Sequence, residues 1–272
     1  MSSLEAFKDK FNFKRELAFC IGIEREYFLT DESGAIVPRA KDVLDHLSFM
    51  GHCVSGKVNG SSHEPFGYEL SACQIETRTA PVELKELSNE LKVLDTALEI
   101  ALSNLGLRKL CVEVAPDDMP LDVFPDPSGR YASISSKMPR EVLLAACQVI
   151  GTHVHIGMPN HDIALRVYNH VINKCDMLCD IGDNSSGRRL KIYRVVEKNP
   201  YPPSYASWDV LYQTALEKGF SDDLRNCWTL IRITAHGTIE FRMFGAVESI
   251  DQIVYWASLC RDLCMEVIET RS

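Results

Sequence analysis

The chain has no Walker A sequence, GxxxxGK[ST], and no GxGxxG. Both glycine-rich phosphate cradles are missing, so a nucleotide would have to be held another way. No CxxC pair occurs among the ten cysteines, and most of them (Cys20, Cys73, Cys111, Cys147, Cys175, Cys179, Cys260) sit in apolar runs. Buried free thiols are expected, ahead of disulfides or a zinc site. Positive charge is in short supply: 29 basic residues face 38 acidic ones, for a formal net charge of -9. That disfavours nucleic acid as a partner. It leaves room for a phosphorylated ligand, because carboxylates reach phosphate through a divalent cation. No run is long enough to span a bilayer, and the mixed, charged start MSSLEAFKDKFNFKREL does not read as a signal peptide. A reducing, cytoplasmic protein with no membrane partner is expected. No internal repeat or low-complexity segment stands out.

What is present centres on Phe19 to Leu29, FCIGIEREYFL. As a strand it alternates. Ile23, Arg25 and Tyr27 face one way; Glu24, Glu26 and Phe28 face the other. Two carboxylates on one face, roughly 7 Å apart, are costly unless that face is wet or holds cations. Arg25 faces away from the pair, so it is expected in a salt bridge or packed against a helix.

The rest of the 272 residues read as elements of an α+β fold, with helices on one face of a largely antiparallel sheet. Residues 1–16 form a leader or short helix. Asp31 to Gly34 marks a turn, Ala35 to Pro38 a second hairpin arm, and Ala40 to Met50 a short helix. Residues 51–67 read as loop. Tyr68 to Thr79 is strand-like and carries Glu69 and Glu76, seven apart, which a strict period of two sets on opposite faces. Leucines at 84, 87, 91, 94, 98, 102 and 105 mark a long amphipathic helix stopped by Gly106. Leu110 to Val114 reads as a strand, and the Pro- and Asp-rich run 115–129 as an irregular loop. Ala146 to Met158 reads as a strand with His153 and His155 on one face. Asn160 caps a helix with an apolar stripe from Ala164 to Leu178. Residues 180–207 are expected to be a long active-site loop region with one short element near Leu190 to Val196. Trp208 to Lys218 is helical. Cys227 to Ile233 and Gly237 to Phe244 are two strands. A helix capped by Ser249 with Gln252 follows.

Four strand-like segments thus carry carboxylate or imidazole: Glu24 and Glu26; Glu69 and Glu76; His153 and His155; Glu240 with Arg242. Each alone reads as a solvated face or a structural ion pair. Together, several carboxylates in one cleft need countercharge. Oxygen-rich sites without thiolate suit Mg2+, with Mn2+ as the variant. Arg188, Arg189, Arg232 and Arg242 lie near the same segments, and arginine is the natural donor to phosphate oxygens. Charge alone points to a phosphoryl-transfer site with two or three metals on a sheet.

The motifs IGIEREYFL, YELSACQIET, GTHVHIGM and GTIEFRMFG, in this order, resemble the carboxylate-amine ligase family related to type 2 glutamate-cysteine ligases, within the glutamine synthetase-like superfamily. The resemblance covers roughly residues 18–265. It implies one catalytic domain over 1–272, built on a curved, largely antiparallel sheet that forms an open funnel with helices outside. It implies that Glu26, Glu69 and Glu76 gather around one divalent cation, and Glu24, His153 and Glu240 around another beside the ATP phosphates. The strand carrying Glu69 and Glu76 would then bend, bulge or pass into a loop. His155 would face the transferred phosphoryl group or the substrate carboxylate. Arg242 and Arg232 would contact phosphate or substrate, and Arg188, in NSSGRR, matches the family's serine- and arginine-bearing loop. The implied reaction joins a small-molecule carboxylate, often glutamate, to an amine through an acyl phosphate formed from ATP; cysteine is the best-known amine.

Two departures qualify the resemblance. The stretch between His155 and Trp228 is abbreviated, which raises the expectation that a second subunit completes the site, as in a homo-oligomer. Position 25 is Arg where many relatives carry an acid. Three other readings remain open: a metal-dependent hydrolase using His153 and His155, a phosphagen-kinase-like transfer, and a non-catalytic binding protein of the same fold. The ligase reading requires Glu240 to lie beside His153.

Overall fold

Leu4–Lys8 forms α1, and β1 (Ile21–Thr30) follows it. Next come α2 (Ala40–Phe49), β2 (Phe66–Tyr68), β3 (Gln74–Arg78), α3 (Leu84–Asn104) and β4 (Arg108–Leu110). The middle of the chain holds α4 (Arg130–Ser135), α5 (Arg140–Gln148), β5 (Gly151–Gly157), α6 (His161–Val171), α7 (Cys175–Gly182), α8 (Arg188–Val196) and α9 (Trp208–Lys218). The hairpin β6 (Ile231–Ile233) and β7 (Thr238–Gly245) leads into α10 (Ile250–Glu269). This computed structural model describes residues 3–56 and 63–269. The seven strands form one sheet in the order β2-β3-β1-β5-β7-β6, with β4 paired to the end of β1. Every pairing between these strands is antiparallel.

The alternation of β1 sorts the two faces. Ile21 and Ile23 pack with Val154, Ile156, Ile239 and Phe241 against Val167 and Val171 of α6 and Ile253 and Trp256 of α10. Tyr27 and Leu29 join Leu94, Leu98 and Leu102 of α3 and Val43 and Leu47 of α2. Each such side chain contributes about 2 kcal/mol of burial, so the apolar face holds the helices on the sheet. Arg25 lies on this helix-covered face, 2% exposed. Its Nη1 donates at 2.9 Å to both carboxylate oxygens of Asp95 in α3. The arginine is therefore spent on packing, as its parity requires. The result is an α+β fold with the carboxylate face of the sheet left free of these helices.

Several boundaries move. The strand expected from Ala146 starts at Gly151, and Ala146 to Gln148 complete α5. A short apolar run fits helix and strand equally well, and here the helical stripe through Ala145 and Gln148 wins. Tyr68 to Thr79 is not one strand: the chain leaves β2 at Tyr68 and re-enters the sheet as β3 at Gln74. The strand at Leu110 lies upstream of the expected span, over three residues. The arm at Ala35 to Pro38 pairs with β1 through a Thr30–Ile36 bridge and the Val37 N–H, which donates to Leu29 O. Region 180–207 opens on the end of α7 and carries α8 (Arg188–Val196) where one short element was expected; its remaining residues lie outside helix and strand. Of the loop expected over 51–67, residues 57–62 lie outside the described residues. The caps behave as read: Asn160 accepts from Ile163 N–H and Ser249 from Gln252 N–H. All ten cysteines are free. Among the described residues no helix is long and apolar enough to cross a membrane.

Candidate metal centre

Residues paired directly across antiparallel strands share a face. Glu26 pairs with Glu76, and Glu24 with Arg78, across β1 and β3. On the other side of β1, Glu24 pairs with His153. His155 pairs with Glu240 across β5 and β7, and Glu240 with Arg232 across β7 and β6. Register alone therefore gathers these residues on the free face. Glu69 joins them through a chain reversal. Gly67 pairs with Glu76, and Glu69, just past the end of β2, lies near enough to Glu26, Arg78 and Glu24 to feel their charges. The β5–β7 ladder also carries a bulge. Thr152 pairs with Phe244 but Val154 with Phe241, so His153 stands opposite two residues, Arg242 and Met243.

The side chains close into two triplets with one shared member. His153 Nδ1 lies 3.1 Å from Glu24 and 3.7 Å from Glu240, and its Nε2 lies 3.8 Å from Glu26. The candidate ligand atoms of Glu24, His153 and Glu240 fall within 4.8 Å of one another, as do those of Glu26, Glu76 and His153. His155 Nδ1 bonds Thr238 Oγ1 at 2.9 Å, and its Nε2 lies 3.4 Å from Glu24. Glu240, fully buried, pairs with Arg232 and Arg242. Gly151 N–H donates to Glu26 at 2.7 Å. Arg78 pairs with Glu76 and donates to Ser55 Oγ.

Charge is unevenly balanced across the face. Burial pushes Glu240 toward its neutral form, but Arg232 and Arg242 outweigh it and hold the carboxyl well below the usual range. Burial acts likewise on Glu24 and is outweighed by His155 and His153, which hold it well below normal. On the other side, burial and then the Glu26 charge push Glu69 up to about 8. Burial raises Glu76 well above normal; Arg78 opposes this, and Glu24, Glu69 and Glu26 reinforce it. Burial lowers His155, yet Glu24 and Glu240 leave it raised overall. The side bearing Glu26, Glu69 and Glu76 is thus short of positive charge.

The residues fit a hard divalent cation. Donors are carboxylate oxygen and imidazole nitrogen, with no thiolate in either triplet. His155 Nε2 is a buried atom without a hydrogen bond. Six of the residues singled out in the sequence (Glu24, Glu26, Glu76, His153, His155, Glu240) meet on this face, together with Arg232 and Arg242. Glu69 reaches the face but stands outside both triplets, where His153 takes the third place beside Glu26 and Glu76. Arg188 is not brought in: it is exposed at the start of α8, whereas its neighbour Arg189 is buried. Sequence reasoning gave no role to Arg78, though its spacing of two from Glu76 on a strand put it on the same face. It named Arg189 only among nearby arginines, because nothing in NSSGRR says which of the two turns inward.

A family model described as glutamate-cysteine ligase family 2 (GCS2) matches residues 20–271. A protein named "Putative glutamate--cysteine ligase 2" from Salinispora arenicola (strain CNS-205) is 28% identical over 264 residues, which cover 91% of this chain and 66% of the relative. The chain spans about two thirds of the length of the curated relatives it matches. Among solved structures, a bifunctional glutathione synthetase from Pasteurella multocida superposes with a TM-score of 0.58 at 15% identity, covering 90% of this chain and 38% of that one. A Plasmodium falciparum glutamine synthetase gives 0.50 at 10% identity, covering 93% of this chain and 52% of that one. These two likenesses concern the fold alone, which this chain shares with part of each of those proteins.

Proposed function

The chain belongs to glutamate-cysteine ligase family 2, and from that premise we propose that it is an ATP-dependent carboxylate-amine ligase. A substrate carboxylate, with the γ-carboxylate of glutamate as first candidate, attacks the terminal phosphate of ATP and ADP leaves. An amine then displaces phosphate from the acyl phosphate and an amide forms. Cysteine is the first amine to try. The observation that carries this reading is the pair of triplets sharing His153 on one sheet face, flanked by Arg232 and Arg242.

Glu24, His153 and Glu240 on one side, and Glu26, Glu76 and His153 on the other, would hold Mg2+ or Mn2+, with Glu69 close by to complete the second set. A cation there would neutralise charge on the phosphate oxygens. Arg242 Nε is a buried donor without a partner, suited to an oxygen of the transferring group. Arg232 holds Glu240 and lies on the same face to share that task. His155 Nε2 is aimed among the carboxylates without a hydrogen bond and suits the substrate carboxylate or phosphoryl oxygen. No covalent enzyme nucleophile is needed, so the ten cysteines can stay inert. A reducing, cytoplasmic setting and a second subunit that completes the pocket belong to the same proposal.

The test is an ADP-release screen with Mg2+, crossing glutamate and other carboxylates with a panel of amines that includes cysteine. ADP is expected only when a carboxylate and an amine are both present. Turnover without nucleotide would favour a hydrolase built on His153 and His155. Absence of ADP from every combination refutes the ligase reading.

A further inference from the structure

The second arginine of NSSGRR has a place that its neighbour lacks. Asp183 accepts from the Ser185 and Gly187 N–H groups, Gly187 takes a left-handed φ of 78°, and Ser185 Oγ accepts from the Arg189 N–H. This turn starts α8 so that Arg188 faces solvent and Arg189 points into the sheet. Arg189 is 7% exposed. Among the described residues it forms no salt bridge. Its guanidinium is spent on three backbone carbonyls: Nε donates to Ile150 O at 2.8 Å, Nη1 to Met243 O at 3.0 Å and Nη2 to Arg242 O at 3.2 Å.

Two of those three carbonyls lie at the bulge, and the third, Ile150 O, immediately precedes β5. Arg242 and Met243 are the two β7 residues that stand opposite the single residue His153. A bulge takes backbone groups out of the ladder, and buried carbonyls need donors. Arg189 supplies them. Ile150 is one peptide away from Gly151, whose N–H donates to Glu26. One guanidinium therefore fixes the backbone that carries Arg242, the strand facing His153, and the N–H that aims Glu26. Gly151 leaves the room for it: a Cβ there would lie 2.3 Å from Nη2 and 2.7 Å from Phe244 O.

We propose that Arg189 is a positioning residue for the cation centre: it touches no candidate ligand side chain, and it sets the aim of His153, Glu26 and Arg242 through the β5–β7 bulge. The inference rests on the cation reading of this face.

The test is a Mn2+ titration followed by electron paramagnetic resonance on wild type, Arg189→Met, Arg189→Lys and Gly151→Ala. Each is held below its own melting temperature, with the folded fraction fixed by near-UV circular dichroism. Residues that orient metal ligands from behind typically change metal affinity 10- to 100-fold. Arg189→Met is therefore expected to weaken Mn2+ binding per folded molecule by about that factor. Arg189→Lys, which keeps donors for the carbonyls, should recover part of the loss, and Gly151→Ala should reproduce it by crowding the guanidinium. A merely structural arginine would lower the melting temperature and leave the affinity of the folded molecules unchanged; that result overturns the inference. If Arg189→Met fails to fold, unchanged affinity in Arg189→Lys and Gly151→Ala together overturns it equally. A wild type that binds no Mn2+ overturns both this inference and the cation reading, whereas intact binding in wild type and variants alike removes only the role of Arg189.

Discussion

Glu26→Gln separates the charge of the centre from its shape. Glutamine keeps an acceptor for the Gly151 N–H, now 2.7 Å from the carboxylate, and converting that bond to a neutral one costs about 1 kcal/mol. The substitution also removes one negative charge from a triplet whose ligand atoms lie within 4.8 Å of one another. Two ionised carboxylates at that distance repel by about 3.5 kcal/mol at an effective dielectric constant of 20. Arg78 on Glu76 offsets part of this, leaving a relief of about 2 kcal/mol when Glu76 and Glu69 are ionised. Without divalent cation at pH 9, the variant is therefore expected to be more stable than wild type by about 1 kcal/mol, or roughly 2–4 °C in Tm. At pH 6, below the value of about 8 to which Glu69 is raised, and with Glu76 pushed the same way by burial, there is less repulsion to relieve, and the variant should fall below wild type by about 1 kcal/mol. Mg2+ at a hundred times its Kd should stabilise wild type by about 2.7 kcal/mol and the variant far less. Thermal melts at the two pH values, with and without Mg2+, read all of these quantities. A variant less stable at both pH values, with the same gain from Mg2+ as wild type, would refute the reasoning.

Wild type itself should respond to pH. Glu69 is raised to about 8 in the folded chain from an ordinary 4.5, so its contribution is full below the ordinary value and is lost as pH rises through about 8. Metal-free melts should therefore show Tm falling from pH 6 to pH 9, with Mg2+ cancelling the fall; a Tm that rises over this window without metal contradicts the balance of charge described above. Glu240→Gln leaves Arg232 and Arg242 without their buried partner and should cost about 3–5 kcal/mol in denaturant unfolding; a loss under 1 kcal/mol would show that the arginines find other partners. Asp95→Asn strands Arg25 on the opposite face and should cost about 3 kcal/mol while leaving Mn2+ affinity per folded molecule unchanged; a shift in that affinity would mean that the two faces are coupled.

Much of this could be read from the chain because a strand's period is short and rigid. Glu24 and Glu26 on one face and Arg25 on the other follow from alternation, and α3 follows from its leucine spacing. The pairing of Glu24 with His153 could not be read that way, since register between strands distant in sequence depends on the whole sheet. Alternation also misled where the chain reverses. Glu69 and Glu76 seem opposed on one strand, but the reversal between β2 and β3 brings them near enough to feel each other's charge. Ala146 to Gln148 were legible only as an apolar run, which suits a helix end as well as a strand start. The choice between Arg188 and Arg189 depends on the turn at Asp183 to Gly187, a matter of backbone rotation that residue types do not reveal. The β7 bulge left no mark in the sequence, although it decides what stands opposite His153.

The central claim is that one sheet face holds divalent cation between carboxylates and His153. Crystals grown with Mn2+ and a non-hydrolysable ATP analogue test it by anomalous scattering. The expected map has peaks bounded by Glu24, His153 and Glu240 and by Glu26, Glu76 and His153, with nucleotide phosphate reaching the first. A map with no anomalous peak on this face, or with Mn2+ held only elsewhere on the chain, would contradict the account.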